Sequence, residues 1–428
     1  MIGRSCVGAL RAAATSGFDD EAHAVALAPA AERDSRARTL GARAQALGVW
    51  PASVGPLYAE LARSRIAPMT VPAVNLRGLT YHLARAAWRA ALRREAAPVI
   101  FELAPVEAEI GDQSFDEYAA MVFAAAVREG YRGPVFLQAD HVEVPSTGSA
   151  AVDVARRLCF AAVDAGFRQV DIDAAGLASG ADSALERQSV NAAVTAELAT
   201  YVHGLDPTVV VGGEVGEIGG VNTSVADLRA FLDTVTERLG SLGGALGKVS
   251  VQTGTQHGGV VLADGSFGTM TVDFAVAAEL ARVAREVYGL PGVVQHGAST
   301  LTTEQLGRLA HAGVNEVHLA TGIQNVVLEH RALPAELLGR MRRDLTGAMG
   351  APEGGHGAEQ PVGVTAEQTW IANRWHAWGA YKPELWGLPE SILGQMRDSA
   401  EAWFDRTFVA LGLAGRARDL VGLWKTPD

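Results

Sequence analysis

The chain has 428 residues, 48% of them hydrophobic, a formal net charge of −12 and two cysteines, Cys6 and Cys159. That is enough apolar material for one large core or two ordinary ones, and too few cysteines for a disulfide framework or a cysteine-rich zinc site. No block of Lys and Arg forms a track for nucleic acid, and no apolar run approaches the ~18 residues of a membrane helix, so neither partner is expected.

The first twenty residues, MIGRSCVGALRAAATSGFDD, lack the longer apolar region of a secretory signal, which points to a cytoplasmic protein. Residues 1–60 are rich in Ala and Arg and read as a helical extension, with a helix over 29–48. From Pro68 the texture changes. Short β-type runs follow one another: TVPAVNL (70–76), APVIFEL (97–103), PVFLQAD (134–140), QVDIDA (169–174), TVVVGGEV (208–215), KVSVQT (248–253), GVVQHG (292–297) and EVHLAT (316–321). Between them lie helical stretches at 78–95, 116–129, 185–203, 225–239, 273–288 and 303–311. Apolar strands alternating with helices imply a parallel sheet, and eight of them over ~250 residues match a (β/α)8 TIM barrel better than an open sheet. The barrel is expected over 61–350. A Gly/Pro-rich break, GAPEGGHGAEQP (350–361), then leads into a helical C-terminal tail, so that 351–428 is a linker and tail holding Trp370, Trp375, Trp378 and Trp386.

A barrel carries its chemistry at the C-terminal ends of its strands. The first run ends near Asn75, the third with Asp140 and His141, and the fifth with Glu214. His257 follows the sixth, His296 ends the seventh, and His318 lies in the eighth. Three imidazoles and a carboxylate at strand ends form the ligand set of a catalytic zinc or another divalent metal, which can polarise a carbonyl without an organic cofactor. The glycines after His257 and His296 suit close backbone approach to an anion. Glu102, Asp173 and Glu217 are read as structural or solvated carboxylates, and the remaining histidines are given no role.

The order PAVN, ADH, EVGEIGG, QHGG, QHGAST and GVNEVHLATGIQ resembles the class II, metal-dependent fructose-bisphosphate aldolases. The resemblance covers residues 68–325, with a weaker echo at AYKPELW (380–386). It implies that Asp140 is the acid/base handling the aldehyde oxygen, that His141, His257 and His296 bind zinc, and that Glu214 belongs to the same metal site. It also implies phosphate contacts at Gly258, Gly297, Ser299 and the backbone around Thr321, and a homodimer or homotetramer acting on a sugar or sugar phosphate.

The departures matter too. Where the family carries the base that deprotonates the ketose donor, this chain has Val221 and Asn222, and the family's Asn-x-Asp of the last strand is His318-Leu319-Ala320. Val261, Ala104 and Glu384 stand where the family places further anion contacts. We therefore expect a metal-dependent aldolase that cleaves or forms a ketose or ketose monophosphate through a metal-bound enediolate, with Asp140 and His318 as its catalytic pair. The competing expectations are a metal-dependent sugar isomerase or epimerase on the same barrel, and a non-catalytic aldolase-like partner subunit.

Overall fold

The computed structural model describes residues 17–216, 219–255, 261–262, 268, 270–347 and 365–426. Nine strands form one parallel sheet: β1 (Val49–Pro51), β2 (Val71–Asn75), β3 (Ile100–Leu103), β4 (Gly133–Glu143), β5 (Gln169–Asp173), β6 (Val210–Val215), β7 (Leu246–Val251), β8 (Val293–Gln295) and β9 (Val314–Leu319). β2 to β9 pair in sequence order, and β9 returns to β2, with Val71 opposite Glu316. The result is a closed eight-stranded barrel with flanking helices, as the alternation of apolar runs and helices predicts.

Each barrel strand matches one of the eight β-type runs. All five residues of β2 are buried, the mark of a strand covered on both faces. The six helical stretches between the runs appear as Thr80–Arg94, Phe115–Arg128, Ala184–Leu205, Val225–Leu239, Phe274–Tyr288 and Thr303–Arg308. Several begin on a side-chain cap: Ser114 Oγ accepts from Glu117 N at 3.1 Å, and Ser224 Oγ from Asp227 N at 3.1 Å. A further helix, Ser149–Asp164, buries Val152, Ala155, Cys159 and Ala162. This i, i+3, i+7, i+10 row is legible in the sequence but was not among the expected stretches.

The N-terminal segment holds the helices Phe18–Ala26, Ala30–Ala46 and Gly55–Ala62. It is not wholly helical. β1 adds outside the barrel to the early residues of β4, with Val49 opposite Gly133 and Pro51 opposite Val135. β4 is long enough to leave these residues unclaimed by the barrel, and that spare edge explains the extra strand.

The tail docks on the chain's own barrel. Helix Glu390–Ala410 packs along Thr80–Arg94, with Arg94 Nε 2.6 Å from Asp405 Oδ1. Trp370, Trp378 and Trp386 are buried. Trp378 lies so close over Gly78 that a Cβ there would come within 2.1 Å of its ring, and Trp386 Nε1 donates to the Gly78 carbonyl at 3.1 Å. The Gly/Pro-rich break falls outside the described residues.

The barrel interior departs from the usual layers of branched aliphatic side chains. Alternate residues of a strand share a face. In β4 that row includes Gln138 and Asp140, in β5 Asp171, in β7 Lys248 and Ser250, and in β9 Glu316 and His318, all buried. Lys248 Nζ lies 2.6 Å from Gln138 Oε1, 2.9 Å from Asp171 Oδ2 and 2.6 Å from Glu316 Oε1. Gly212 makes room for this cluster: a Cβ there would sit 2.3 Å from Asp171 Oδ1 and 3.1 Å from Lys248 Cε. The inner column is thus ionic, and it leads up to the candidate site.

Candidate active site

Asp140 and His141 are neighbours, and neighbours on a regular strand point to opposite faces. The structure resolves the conflict with a bulge. Ala139 of β4 faces Val170 of β5, whereas Val142 faces Ile172, so two residues of β4 stand opposite one of β5. His141 takes φ +45, the left-handed region that non-glycine residues rarely occupy. The extra residue lets both side chains reach the mouth of the barrel.

Their surroundings are dense in titratable groups. His141 Nε2 lies 3.1 Å from His296 Nδ1 and 3.5 Å from Asp140 Oδ2. His141 Nδ1 lies 3.3 Å from both Asp173 Oδ2 and Glu214 Oε2. His296 Nε2 is 3.0 Å from Ser250 Oγ. The His318 ring stacks obliquely on that of His296 with centroids 4.0 Å apart. His318 Nδ1 lies 2.9 Å from Glu102 Oε2 and 3.3 Å from Asp140 Oδ1, and its Nε2 is 2.8 Å from Glu316 Oε1. The contacts at Nδ1 are charge proximity only: neither His318 Nδ1 nor Asp140 Oδ1 has a well-aligned hydrogen bond among the described residues.

Charge and burial pull these groups in different directions. Burial alone would raise the Asp140 carboxyl, but the positive imidazoles of His141 and His318 outweigh it and hold the group well below the usual carboxylate range. Burial would lower His141 and His318, and the carboxylates around them win: Asp140 and Glu214 raise His141, Glu102 and Asp140 raise His318. Burial pushes Glu102 up to about 7, and burial with the nearby Asp173 charge pushes Glu214 up to about 7.

These shifts set a pH dependence for the metal-free protein. A carboxyl raised in the folded state favours folding below its unfolded pKa and loses that contribution as pH rises through the folded value. For Glu102 and Glu214 the window runs from 4.5 to about 7, and the raised imidazoles have the same sign at higher pH. Of the lowered groups, Asp140 and Glu316 act only below pH 4.5, and His82, which burial holds down to about 3, opposes the trend only up to pH 6.5. The thermal midpoint in chelator is expected to fall on the order of 5 °C from pH 5 to pH 8. A midpoint that rises over this range contradicts the ionic picture.

The donor set fits a divalent ion. Two nitrogens on a tetrahedral zinc with arms of about 2.0–2.1 Å lie about 3.3–3.4 Å apart; the facing nitrogens of His141 and His296 are 3.1 Å apart. Asp140, His141 and His296 together, and His141, Asp173 and Glu214 together, bring their ligand atoms within 4.8 Å of one another. His257 and Gly258, expected as ligand and anion contact, lie outside the described residues, as does Glu217.

The other expected contacts lie near the ends of β2, β8 and β9. Asn75 ends β2 and donates its amide to the Glu107 carboxylate. Gly297 takes φ +65. Ser299 Oγ accepts from Ala320 N at 2.8 Å, immediately before the helix Thr321–Leu328. Glu384 is exposed, and Lys382 is engaged by Glu117 Oε2 at 2.9 Å and by the Asp112 carbonyl. Glu102 is not solvated, as one reading of the sequence had it, but fully enclosed beside His318. Ser250, Glu316, Lys248 and Asp171 were missed. The signal was there: each is a polar residue at an inward alternate position of an otherwise apolar run.

Comparison with known proteins agrees with this fold. No curated protein matches the sequence. Among solved structures, a probable tagatose 6 phosphate kinase from Sinorhizobium meliloti 1021 is 17% identical with a TM-score of 0.57, covering 80% of this chain and 100% of its own. The fructose-bisphosphate aldolase of Campylobacter jejuni is 18% identical with a TM-score of 0.51, covering 86% of this chain and 96% of its own. The YdjI aldolase of Escherichia coli K12 is 15% identical with a TM-score of 0.50, covering 86% and 99%. At such identities these likenesses speak for the fold. The model of the family described as fructose-bisphosphate aldolase class-II matches residues 59–358, the whole barrel with its strand-end motifs, and the chain belongs to that family.

Proposed function

We propose that the protein is a metal-dependent aldolase, a carbon–carbon lyase acting on a ketose or ketose monophosphate. The observation that supports this most is the convergence of His141 Nε2, His296 Nδ1 and Asp140 at the barrel mouth of a chain in this family. His141 and His296, with His257, would hold the ion, for which zinc suits the donor set, and Glu214, expected from the sequence as a further ligand, faces His141 Nδ1 on the side away from His296 and would support that ring. A divalent ion held there polarises the ketose carbonyl and stabilises the negative charge left when the bond breaks.

The chain's own residues move the protons. Asp140, set between His141 and His318, accepts the proton of the C4 hydroxyl during cleavage and returns it during condensation. His318, raised by the carboxylates around it, carries the proton that the donor carbon receives on cleavage and recovers it in the reverse direction. Asn75, Ser299 and the backbone at Gly258, Gly297 and Thr321 bind the donor and one phosphate. The active form is a homodimer or homotetramer in the cytoplasm.

Among the described residues, the two tail positions that the resemblance sets against the far end of the substrate offer no free cation: Lys382 is paired with Glu117, and Glu384 faces solvent. Fructose 1,6-bisphosphate is therefore expected to be poorer than the best monophosphorylated or free ketose by at least ~10²-fold in kcat/KM, the order expected from one lost charged contact. Steady-state assays of zinc-loaded protein, with released aldehyde trapped, test both claims. Ketose interconversion without aldehyde favours an isomerase or epimerase. A bisphosphate with the highest kcat/KM refutes the substrate assignment.

A further inference from the structure

An imidazole that binds a metal through one ring nitrogen needs a partner for the other, and that partner decides which tautomer is present and how the ring is aimed. His141 has such partners in carboxylates: Asp173 and Glu214 face its Nδ1 at 3.3 Å, leaving Nε2 toward His296. His296 is built differently. Its Nδ1 faces His141, and its Nε2 turns into the barrel, 3.0 Å from the hydroxyl of Ser250.

Ser250 stands on β7 and is not itself among the proposed ligands. Its place on the inner face is fixed by the ladder, opposite Glu214 of β6 and Val294 of β8. The same row carries Lys248 below, tied to Asp171 and Glu316, and Gln252 above, whose amide donates to the Thr255 carbonyl at 2.8 Å. Thr255 Oγ1 in turn donates to the His296 carbonyl at 2.8 Å. β7 and the residues that follow it thus hold both the ring and the backbone of His296.

We propose that Ser250 is a positioning residue for the metal centre: its hydroxyl oxygen accepts the Nε2–H of His296 and so presents the lone pair of Nδ1 to the ion. The inference rests on the reading that an ion binds at His141 and His296. A hydroxyl could instead donate to Nε2, but that tautomer carries its hydrogen on Nδ1, where it would block coordination. Ser250 is only 5% exposed, so bulk water cannot replace the hydroxyl when it is removed. Alanine at this position leaves the buried N–H without its acceptor, and the ring loses the contact that fixes its direction.

The test uses the full-length protein stripped of metal and titrated with zinc in competition with a chromophoric chelator. Ser250→Ala is expected to weaken zinc binding about 10–100-fold, the range typical of such supporting partners. Ser250→Thr, which keeps the hydroxyl, is expected to stay within about threefold of wild type. In the zinc-loaded protein with labelled histidine, the Nε2–H resonance of His296 should exchange slowly with solvent in wild type and Ser250→Thr, and faster in Ser250→Ala. Zinc binding by Ser250→Ala within twofold of wild type overturns the proposal. So does a Ser250→Thr as weak as the alanine variant, which would assign the effect to packing. A wild-type protein that binds no zinc overturns the metal centre itself as well, and that result differs from an unchanged alanine variant.

Discussion

Asp140→Asn is expected to keep the fold and bind zinc with nearly wild-type affinity, while losing about 10²–10⁴-fold in kcat on whichever ketose the wild type cleaves best. The substitution is close to isosteric, so the bulge that carries residue 140 to the mouth has no reason to relax. What changes is chemical. The carboxylate faces His141 Nε2 with one oxygen at 3.5 Å and His318 Nδ1 with the other at 3.3 Å. An amide cannot accept and return a proton, and one of the two rings would face its NH2 group in place of a carboxylate oxygen. The loss should fall on kcat and kcat/KM alike, because the interaction is made as the proton moves and not as the substrate binds. Zinc titration beside steady-state kinetics separates the cases. A variant with both activity and zinc lost would make Asp140 part of the ion's support. A variant with near wild-type turnover would remove it from the proton transfer.

The same residue shows how far the sequence could be read. The eight apolar runs and the polar residue at the end of each are legible, because burial on both faces leaves few polar residues within a strand. That Asp140 and His141 act together is not legible from alternation, which sends one of them outward. Only the pairing of β4 with β5 creates the bulge, and register between strands is a tertiary property. The strand at 49–51 was invisible for a related reason: three residues pair there because β4 extends past its barrel partners, a length set elsewhere in the chain. Lys248 and Glu316 are a different case. KVS and EVH each place a polar residue two positions before Ser250 and His318, so their shared inward face could have been inferred from period two. What could not be inferred is that residues 68 positions apart meet as an ion pair on the same carboxylate oxygen that supports His318.

That pair carries the largest stability effect we expect. Lys248→Met should destabilise the metal-free protein by about 3–5 kcal/mol at pH 8, the cost of leaving a buried charge without its partner. Lys248 is 1% exposed and is the cation that Asp171 and Glu316 share at 2.9 and 2.6 Å. Burial lowers its affinity for a proton, but the two carboxylates more than restore it, to about 12. Glu316 is held down to about 2: burial would raise it, and Lys248 and His318 outweigh that. Asp171 stands at about 6, raised by burial against the pull of Lys248. Without Lys248, both carboxyls rise and one takes a proton. A group raised in the folded state stabilises at low pH and loses that contribution as pH rises. The deficit of the variant should therefore be smaller at pH 5 than at pH 8. Pairing it with Glu316→Gln should recover part of the loss, because the second substitution removes a carboxylate left unpartnered. Thermal melts of the single and double variants at the two pH values decide the matter. A single variant that melts within a degree or two of wild type at pH 8 would show that the inner column does not depend on Lys248 for its charge balance.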